Sequence, residues 1–220
     1  MKLKGLIFDM DGLLIDTESL SYEALRLDLE SQGKEFPLSR FLPIRSHSLK
    51  KCEEIFKGYY GEDFDFKGCF DRHTLYMNRH IDEYGLPLKP GAEELLKFGK
   101  AQGYKIALAT GTPLDTAKRW LESVGLWQYF DEFQSSAYIK NGKPAPDVYL
   151  ATAKLLGFAP SECMAFEDSP NGVRSASAAG CVTVMVPDLS EPDEELSSLI
   201  YACAESLSGA VNIIKKYEEL

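Results

Sequence analysis

Leu3-Lys4-Gly5-Leu6-Ile7-Phe8-Asp9-Met10-Asp11-Gly12 runs an apolar stretch straight into two carboxylates, two residues apart, and a glycine. A run so short and so apolar predicts a strand, and the residues that follow it sit at an open strand end. In extended backbone, residues i and i+2 project to the same side, so Asp9 and Asp11 face one small volume just where Gly12 lets the chain turn. Two anions that close repel each other. A divalent cation, a shared proton, or a division of labour between nucleophile and acid/base relieves the repulsion, and each is a way of building an active site. A calcium loop does not suit the stretch, because its fifth and twelfth positions fall on Leu13 and Leu20, which offer no side-chain oxygen. A plain turn explains Gly12 but not why carboxylates end a strand with almost no polar residue in it.

The chain has 220 residues, 45% hydrophobic and 26% charged, enough for one core and a smaller second domain. Its 24 basic side chains against 34 acidic ones leave a net charge of -10, which argues against nucleic-acid or membrane-surface partners. An anionic substrate therefore has to be attracted locally. Cysteines 52, 69, 163, 181 and 203 are odd in number and lack paired zinc-site spacing, so they read as reduced thiols that pack. The N-terminal apolar run is too short for a membrane span and ends in Asp9, and the expectation is a cytoplasmic monomer.

From Ser19 to Tyr84 the apolar residues recur at helical spacing: Tyr22, Leu25, Leu29; Leu49, Cys52, Ile55, Phe56; Phe70, Met77, Ile81, Tyr84. From Pro90 onward helices (near 91–102, 114–124, 146–156 and 171–179) alternate with apolar strands (near 105–110, 163–167 and 182–186). Such alternation predicts an α/β fold: a Rossmann-like, doubly wound parallel sheet, joined by the first strand across an inserted α-helical cap. The expected boundaries are 1–16 and 86–220 for the core and 17–85 for the cap. The acidic stretch Pro187 to Glu195 reads as a surface loop.

Open parallel sheets place ligands at the carboxyl ends of their strands, and three more polar clusters fall there. After Lys105-Ile106-Ala107-Leu108-Ala109 come Thr110-Gly111-Thr112-Pro113, where Thr112 can cap a helix starting at Pro113 and a hydroxyl with a glycine beside it suits a phosphate. A strand-to-helix cap explains Thr112 and Pro113 but leaves Thr110 and Gly111 unexplained. In Lys140-Asn141-Gly142-Lys143-Pro144-Ala145-Pro146-Asp147, Lys143 is held between a glycine and a proline, a placement that suits an anion, although most lysines before a helix are solvated. Cys163-Met164-Ala165-Phe166-Glu167-Asp168-Ser169-Pro170 is again an apolar strand ending in carboxylates, with Ser169 as cap. Glu167 and Asp168 can complete a hard-cation site with Asp9; alternatively Asp168 only favours the helix dipole.

Taken together these clusters resemble the haloacid dehalogenase-like hydrolases, and within them the β-phosphoglucomutase-like branch with a helical cap. The resemblance spans almost the whole chain, on Asp9-Met10-Asp11-Gly12-Leu13-Leu14-Ile15-Asp16-Thr17-Glu18, then Thr110, Lys143 and Glu167-Asp168, in order and at family-like spacing. It implies that Asp9 attacks a phosphoryl group and that Asp11 protonates the leaving oxygen and then activates water. It also implies Mg2+ held by Asp9, the Asp11 backbone carbonyl and Asp168, with Glu167 assisting, and phosphate held by Thr110, Gly111 and Lys143. The expected activity is hydrolysis of a small phosphorylated metabolite, a sugar phosphate or nucleoside monophosphate, through an aspartyl-phosphate; an intramolecular phosphomutase is the alternative.

The departures from that family bear on substrate. A histidine that the sugar-phosphate mutases carry shortly after the first motif appears here as Ser21 or a neighbour, which weakens the mutase reading. The cap loop Phe41-Leu42-Pro43-Ile44-Arg45-Ser46-His47-Ser48 lacks a glycine common in related caps, and Arg45 and His47 are its candidates for reaching a substrate. His73 and His80, with no third ligand in view, read as structural.

Overall fold

The computed structural model describes residues 2–45, 47 and 49–219, so Ser46 and Ser48 of the cap loop lie outside the described residues. The chain enters through β1 (Gly5–Phe8) and then builds a helical insert: α1 (Thr17–Ser31), α2 (Leu38–Phe41), α3 (Leu49–Tyr60) and α4 (Phe66–Tyr84). It returns through α5 (Ala92–Ala101), β2 (Lys105–Thr110), α6 (Leu114–Ser123), β3 (Glu132–Ser135), α7 (Asp147–Leu156), β4 (Cys163–Glu167) and α8 (Pro170–Ala178). The chain ends with β5 (Val182–Met185), α9 (Glu194–Leu199), β6 (Ala202–Cys203) and α10 (Leu207–Glu218). The six strands form one parallel sheet in the order β3-β2-β1-β4-β5-β6, which is the α/β core with a helical insertion that the alternation predicts.

The apolar runs are continuous because both faces of the sheet are covered. Leu6 and Phe8 turn to one face, against Leu95, Leu96, Leu121 and Ile214 of α5, α6 and α10. Ile7 turns to the other with Ala107 and Ala165, against Tyr149 and Ala153 of α7 and Ala176 of α8. Phe8 stacks on Phe166 of the neighbouring strand with ring centroids 4.9 Å apart, a cross-strand aromatic pair at the sheet's centre. The register sets Phe8 beside both Leu108 and Phe166, so the residues just beyond, Asp9, Ala109-Thr110 and Glu167, emerge at one level.

The insert has its own core, in which Leu25, Leu29, Phe36, Phe41, Phe56, Phe66 and Cys69 are buried together. Side-chain caps start its long helices: Asp16 accepts from the Ser19 N–H (3.3 Å) and Asp65 from the Gly68 N–H (2.9 Å). The insert also packs on the core through Trp120 of α6, which meets Leu20, Ala24 and Met77.

Three sequence-based expectations change. Thr112 does not cap α6: the cap position is Pro113, with no side-chain bond, and the Thr112 hydroxyl points elsewhere. The stretch from Pro187 to Glu195 is not all surface loop, since Asp188 turns its carboxylate inward and α9 starts at Glu194. Cys203 is exposed, whereas Cys52, Cys69 and Cys163 are buried as packing thiols, and all five cysteines are free. Among the described residues, no helix is long and apolar enough to cross a membrane.

His73 is buried in the insert, in keeping with the structural reading given to His73 and His80. Its Nε2 lies 2.9 Å from the Ser21 Oγ, its ring packs by Phe70, and its Nδ1 is buried without a partner. Burial lowers its pKa from 6.5 to about 4, with the Asp28 charge opposing. The unfolded chain therefore takes up this proton first as pH falls, so the stability that neutral His73 allows is intact above pH 6.5 and erodes towards pH 4. His73→Gln should remove up to about 3 kcal/mol of that loss, seen as a flatter dependence of urea-unfolding free energy on pH. Parallel curves for His73→Gln and the parent across this window would show that His73 is not buried as described.

Candidate functional site

Four strand tips and the insert supply the site. Asp9 leaves β1 with its N–H still bonded to the Phe166 carbonyl (3.1 Å), which fixes it against the end of β4. Its Oδ1 accepts from the Lys143 ammonium at 2.7 Å, and the same ammonium reaches Glu167 Oε1 at 2.6 Å. Lys143 comes from the loop before α7 and is buried, unlike a typical surface lysine. Burial opposes its charge, but the Asp9 and Glu167 carboxylates outweigh it and hold the ammonium above its ordinary pKa.

Glu167 sits at the end of β4 with no exposed surface, and its Oε1 accepts a second bond, from the Tyr149 hydroxyl of α7, at 2.5 Å. Burial pushes this carboxyl up to about 7, against the pull of Lys143. Gly172 in the first turn of α8 makes room for it, since a Cβ there would lie 2.0 Å from the Glu167 carboxyl group. Ser169 caps that helix through the Gly172 N–H (3.2 Å), as its place before Pro170 predicts.

Asp11 is held quite differently. Its carboxylate accepts from three hydroxyls: Thr17 at 2.7 Å on Oδ1, and Thr112 at 2.8 Å and Thr110 at 3.2 Å on Oδ2. The Thr112 N–H in turn donates to the Thr110 Oγ1 at 3.0 Å. Burial and then the Asp9 charge raise the Asp11 pKa, and the three hydroxyl bonds only partly oppose them. Two carboxylates two residues apart thus occupy contrasting settings, one against an ammonium and one among neutral hydroxyls. Gly111, beside them, has open space where a Cβ would stand, its nearest neighbour being the Ser136 Oγ at 3.9 Å.

Arg45 crosses from the insert to the core. Its guanidinium is buried and bonds Asp168 directly, with Glu18 at 3.2 Å and Asp188 at 3.7 Å. Lys89 closes this group on Asp188 at 2.6 Å. Burial raises the pKa of Asp168 well above the carboxylate range and that of Glu18 to about 7, with Arg45 opposing in both. The tight fit explains Gly12: its φ is +81°, and a Cβ would stand 2.5 Å from the Asp168 Oδ2. His47 is half-buried two residues beyond Arg45, and its ring takes no part in the contacts that join Arg45 to the cluster.

Asp9, Glu167 and Asp168 each present an oxygen within 4.8 Å of the other two. Glu167 Oε2 and Asp168 Oδ1 are buried without a hydrogen-bond partner. Buried carboxylate oxygens without donors are costly unless a cation meets them, and an all-oxygen set suits a hard divalent ion. The site therefore fits a metal ion.

The strand tips bring together Asp9, Asp11, Thr110, Lys143, Glu167 and Asp168, with Gly111 alongside, and the insert adds Arg45. Thr17, Thr112, Tyr149 and Asp188 also contact these residues. Thr17 and Thr112 lie inside the first and second motifs but are not among the expected site residues, whereas Tyr149 and Asp188 enter only through tertiary packing.

Comparison with known proteins agrees with this geometry. Residues 3–180 match the family model of the haloacid dehalogenase-like hydrolases. The chain is 35% identical over 189 residues to a phosphorylated carbohydrates phosphatase of Thermotoga maritima, covering 81% of this chain and 82% of that protein. It is 33% identical over 214 residues to hexitol phosphatase B of Escherichia coli, covering 92% and 96%. The β-phosphoglucomutase of Clostridium difficile superposes with a TM-score of 0.81 at 25% identity, covering 99% of this chain and 98% of that one. With the sheet order, the insert after the first strand and the four strand-tip motifs in place, the chain belongs to the haloacid dehalogenase-like hydrolases, as an enzyme of phosphatase type.

Proposed function

We propose that this enzyme is a magnesium-dependent phosphatase that hydrolyses a small phosphorylated metabolite, a sugar phosphate or a nucleoside monophosphate, through a phosphoryl group carried on Asp9. The observation that carries this reading is the unequal pair: Asp9 lies 2.7 Å from the Lys143 ammonium, while Asp11 sits among hydroxyls with its pKa raised. A carboxylate held against an ammonium and one held among neutral hydroxyls are suited to separate roles, nucleophile and acid/base. The carbohydrate phosphatases among the relatives support a sugar phosphate as the substrate class.

In this reading an Asp9 oxygen forms a bond to phosphorus as the bond to the leaving oxygen breaks, and the Asp11 proton passes to that oxygen. The resulting Asp11 carboxylate then takes a proton from water as the water oxygen bonds to phosphorus and the Asp9 oxygen–phosphorus bond breaks, which releases phosphate, frees the Asp9 carboxylate and leaves Asp11 protonated again. Thr110, Thr112 and Thr17 hold the Asp11 carboxyl in place through both steps. Lys143 offsets the repulsion between Asp9 and an incoming phosphate, and Thr110 and the Gly111 N–H stand beside the place it would take. Asp9, Asp168 and the Asp11 carbonyl would hold Mg2+, with Glu167 assisting. Bound there, Mg2+ supplies a Lewis acid that draws charge from the transferring phosphoryl group. Residues 1–16 and 86–220 form the catalytic core in this scheme and 17–85 form a cap, with Arg45 and His47 as its candidates for substrate discrimination, although the Arg45 guanidinium is engaged by Glu18, Asp168 and Asp188.

Asp9→Asn should lower turnover of a generic aryl phosphate by on the order of a thousand-fold or more, since it removes the nucleophile. Asp11→Asn should cost about 10²–10⁴-fold while leaving inhibition by inorganic phosphate intact. Comparable kcat in Asp9→Asn and the parent would eliminate the mechanism. Removing divalent ions with a chelator should abolish phosphate release, and Mg2+ should restore it; release that persists in the chelator contradicts the metal. Across a panel of sugar, polyol and nucleoside phosphates, inorganic phosphate should accumulate, whereas accumulation of an isomeric sugar phosphate would make the enzyme a mutase.

A further inference from the structure

We propose that Tyr149 is a positioning residue of this site: its hydroxyl holds the Glu167 carboxylate in the orientation in which Glu167 supports the bound cation and shares Lys143 with Asp9. The inference rests on the reading that Asp9, Glu167 and Asp168 surround a divalent cation.

Tyr149 lies on the face of α7 turned to the sheet, where it packs with Ile7, Ala153 and Ala165 and has no exposed surface. Phe would fill that apolar position equally well. A phenol hydroxyl taken into such a layer loses its water and is tolerated only if it finds a partner. Its partner is Glu167 Oε1 at 2.5 Å, the same oxygen that accepts from Lys143 at 2.6 Å. The Lys143 ammonium also lies 5.4 Å from the Tyr149 ring centroid, so one side chain touches both charged groups. The Gly172 backbone also closes on the carboxyl group, leaving no room for a Cβ. Glu167 is thus clamped by two donors on Oε1 and by α8, which leaves the buried Oε2 without a donor.

The hydroxyl matters because Lys143 serves two carboxylates at once, with Asp9 Oδ1 at 2.7 Å. Without the Tyr149 bond, Glu167 Oε1 keeps Lys143 as its donor and its terminal torsion is released. The carboxylate then draws Lys143 towards itself and away from Asp9, and Oε2 loses its fixed direction. Side chains that orient the immediate surroundings of a metal in this way commonly set its affinity.

The test is Tyr149→Phe, which removes one oxygen and keeps the ring. Mg2+ binding to the substrate-free protein, read by titration calorimetry, should weaken by about ten-fold or more. The unfolding midpoint without divalent ions should stay close to the parent's, and excess Mg2+ should recover most of the lost kcat with KM little changed. In a Glu167→Gln background the same change should add no further loss of Mg2+ affinity. Mg2+ affinity in Tyr149→Phe within two-fold of the parent, or full additivity with Glu167→Gln, overturns the proposal. If the unaltered protein releases phosphate with Mg2+ while Tyr149→Phe binds Mg2+ equally well, only the role of Tyr149 falls. If the unaltered protein binds no Mg2+, the metal reading falls with it.

Discussion

Buried negative charge is the constraint around which this molecule is built. Among the described residues, Asp9, Glu167, Asp168, Glu18 and Asp188 crowd the strand tips and the first helix of the insert, against the cations Lys143, Arg45 and Lys89. With Asp11 beside them, carboxylates outnumber these three cations, and burial first of all holds Glu167, Asp168 and Glu18 above the ordinary carboxylate range; a divalent ion would offset that cost. Ion pairs this deep cost desolvation and add little net stability, so their retention is better explained by the chemistry they prepare than by the fold they hold.

The sheet makes such crowding possible. Its central strands are apolar on both faces and Phe8 stacks on Phe166 across two of them, so the helices can supply the hydrophobic stabilisation while the tips carry the electrostatic burden. The insert contributes in two ways. Its own aromatic core lets it hold shape, and Arg45 and Trp120 tie it to the core at separate points, one electrostatic and one apolar. That arrangement puts an insert side chain directly against a buried carboxylate at the strand tips.

Much of this was readable in the chain. β1, β2 and β4 announce themselves because fully buried strands must be continuously apolar, and the carboxylates and hydroxyls at their tips stand out against those runs. β3 does not, because Glu132-Phe133-Gln134-Ser135 is a polar edge strand, and β6 is only two residues long. Tyr149 was invisible for a different reason: periodicity places it on the buried face of α7, but nothing in spacing reveals that its hydroxyl meets a carboxylate from β4. Asp188 hides within an acidic, proline-containing stretch whose composition resembles solvated loop. Thr112 shows the converse, since a hydroxyl well placed to cap α6 is drawn instead to Asp11.

One ion shared between strands distant in sequence would join Asp9 to Asp168. Crystals grown with Mn2+ and measured for its anomalous scattering would locate that ion directly. The predicted result is a single peak within about 2.0–2.3 Å of oxygens from both Asp9 and Asp168. A peak that contacts neither carboxylate, or only one of them with the other turned away, would contradict it.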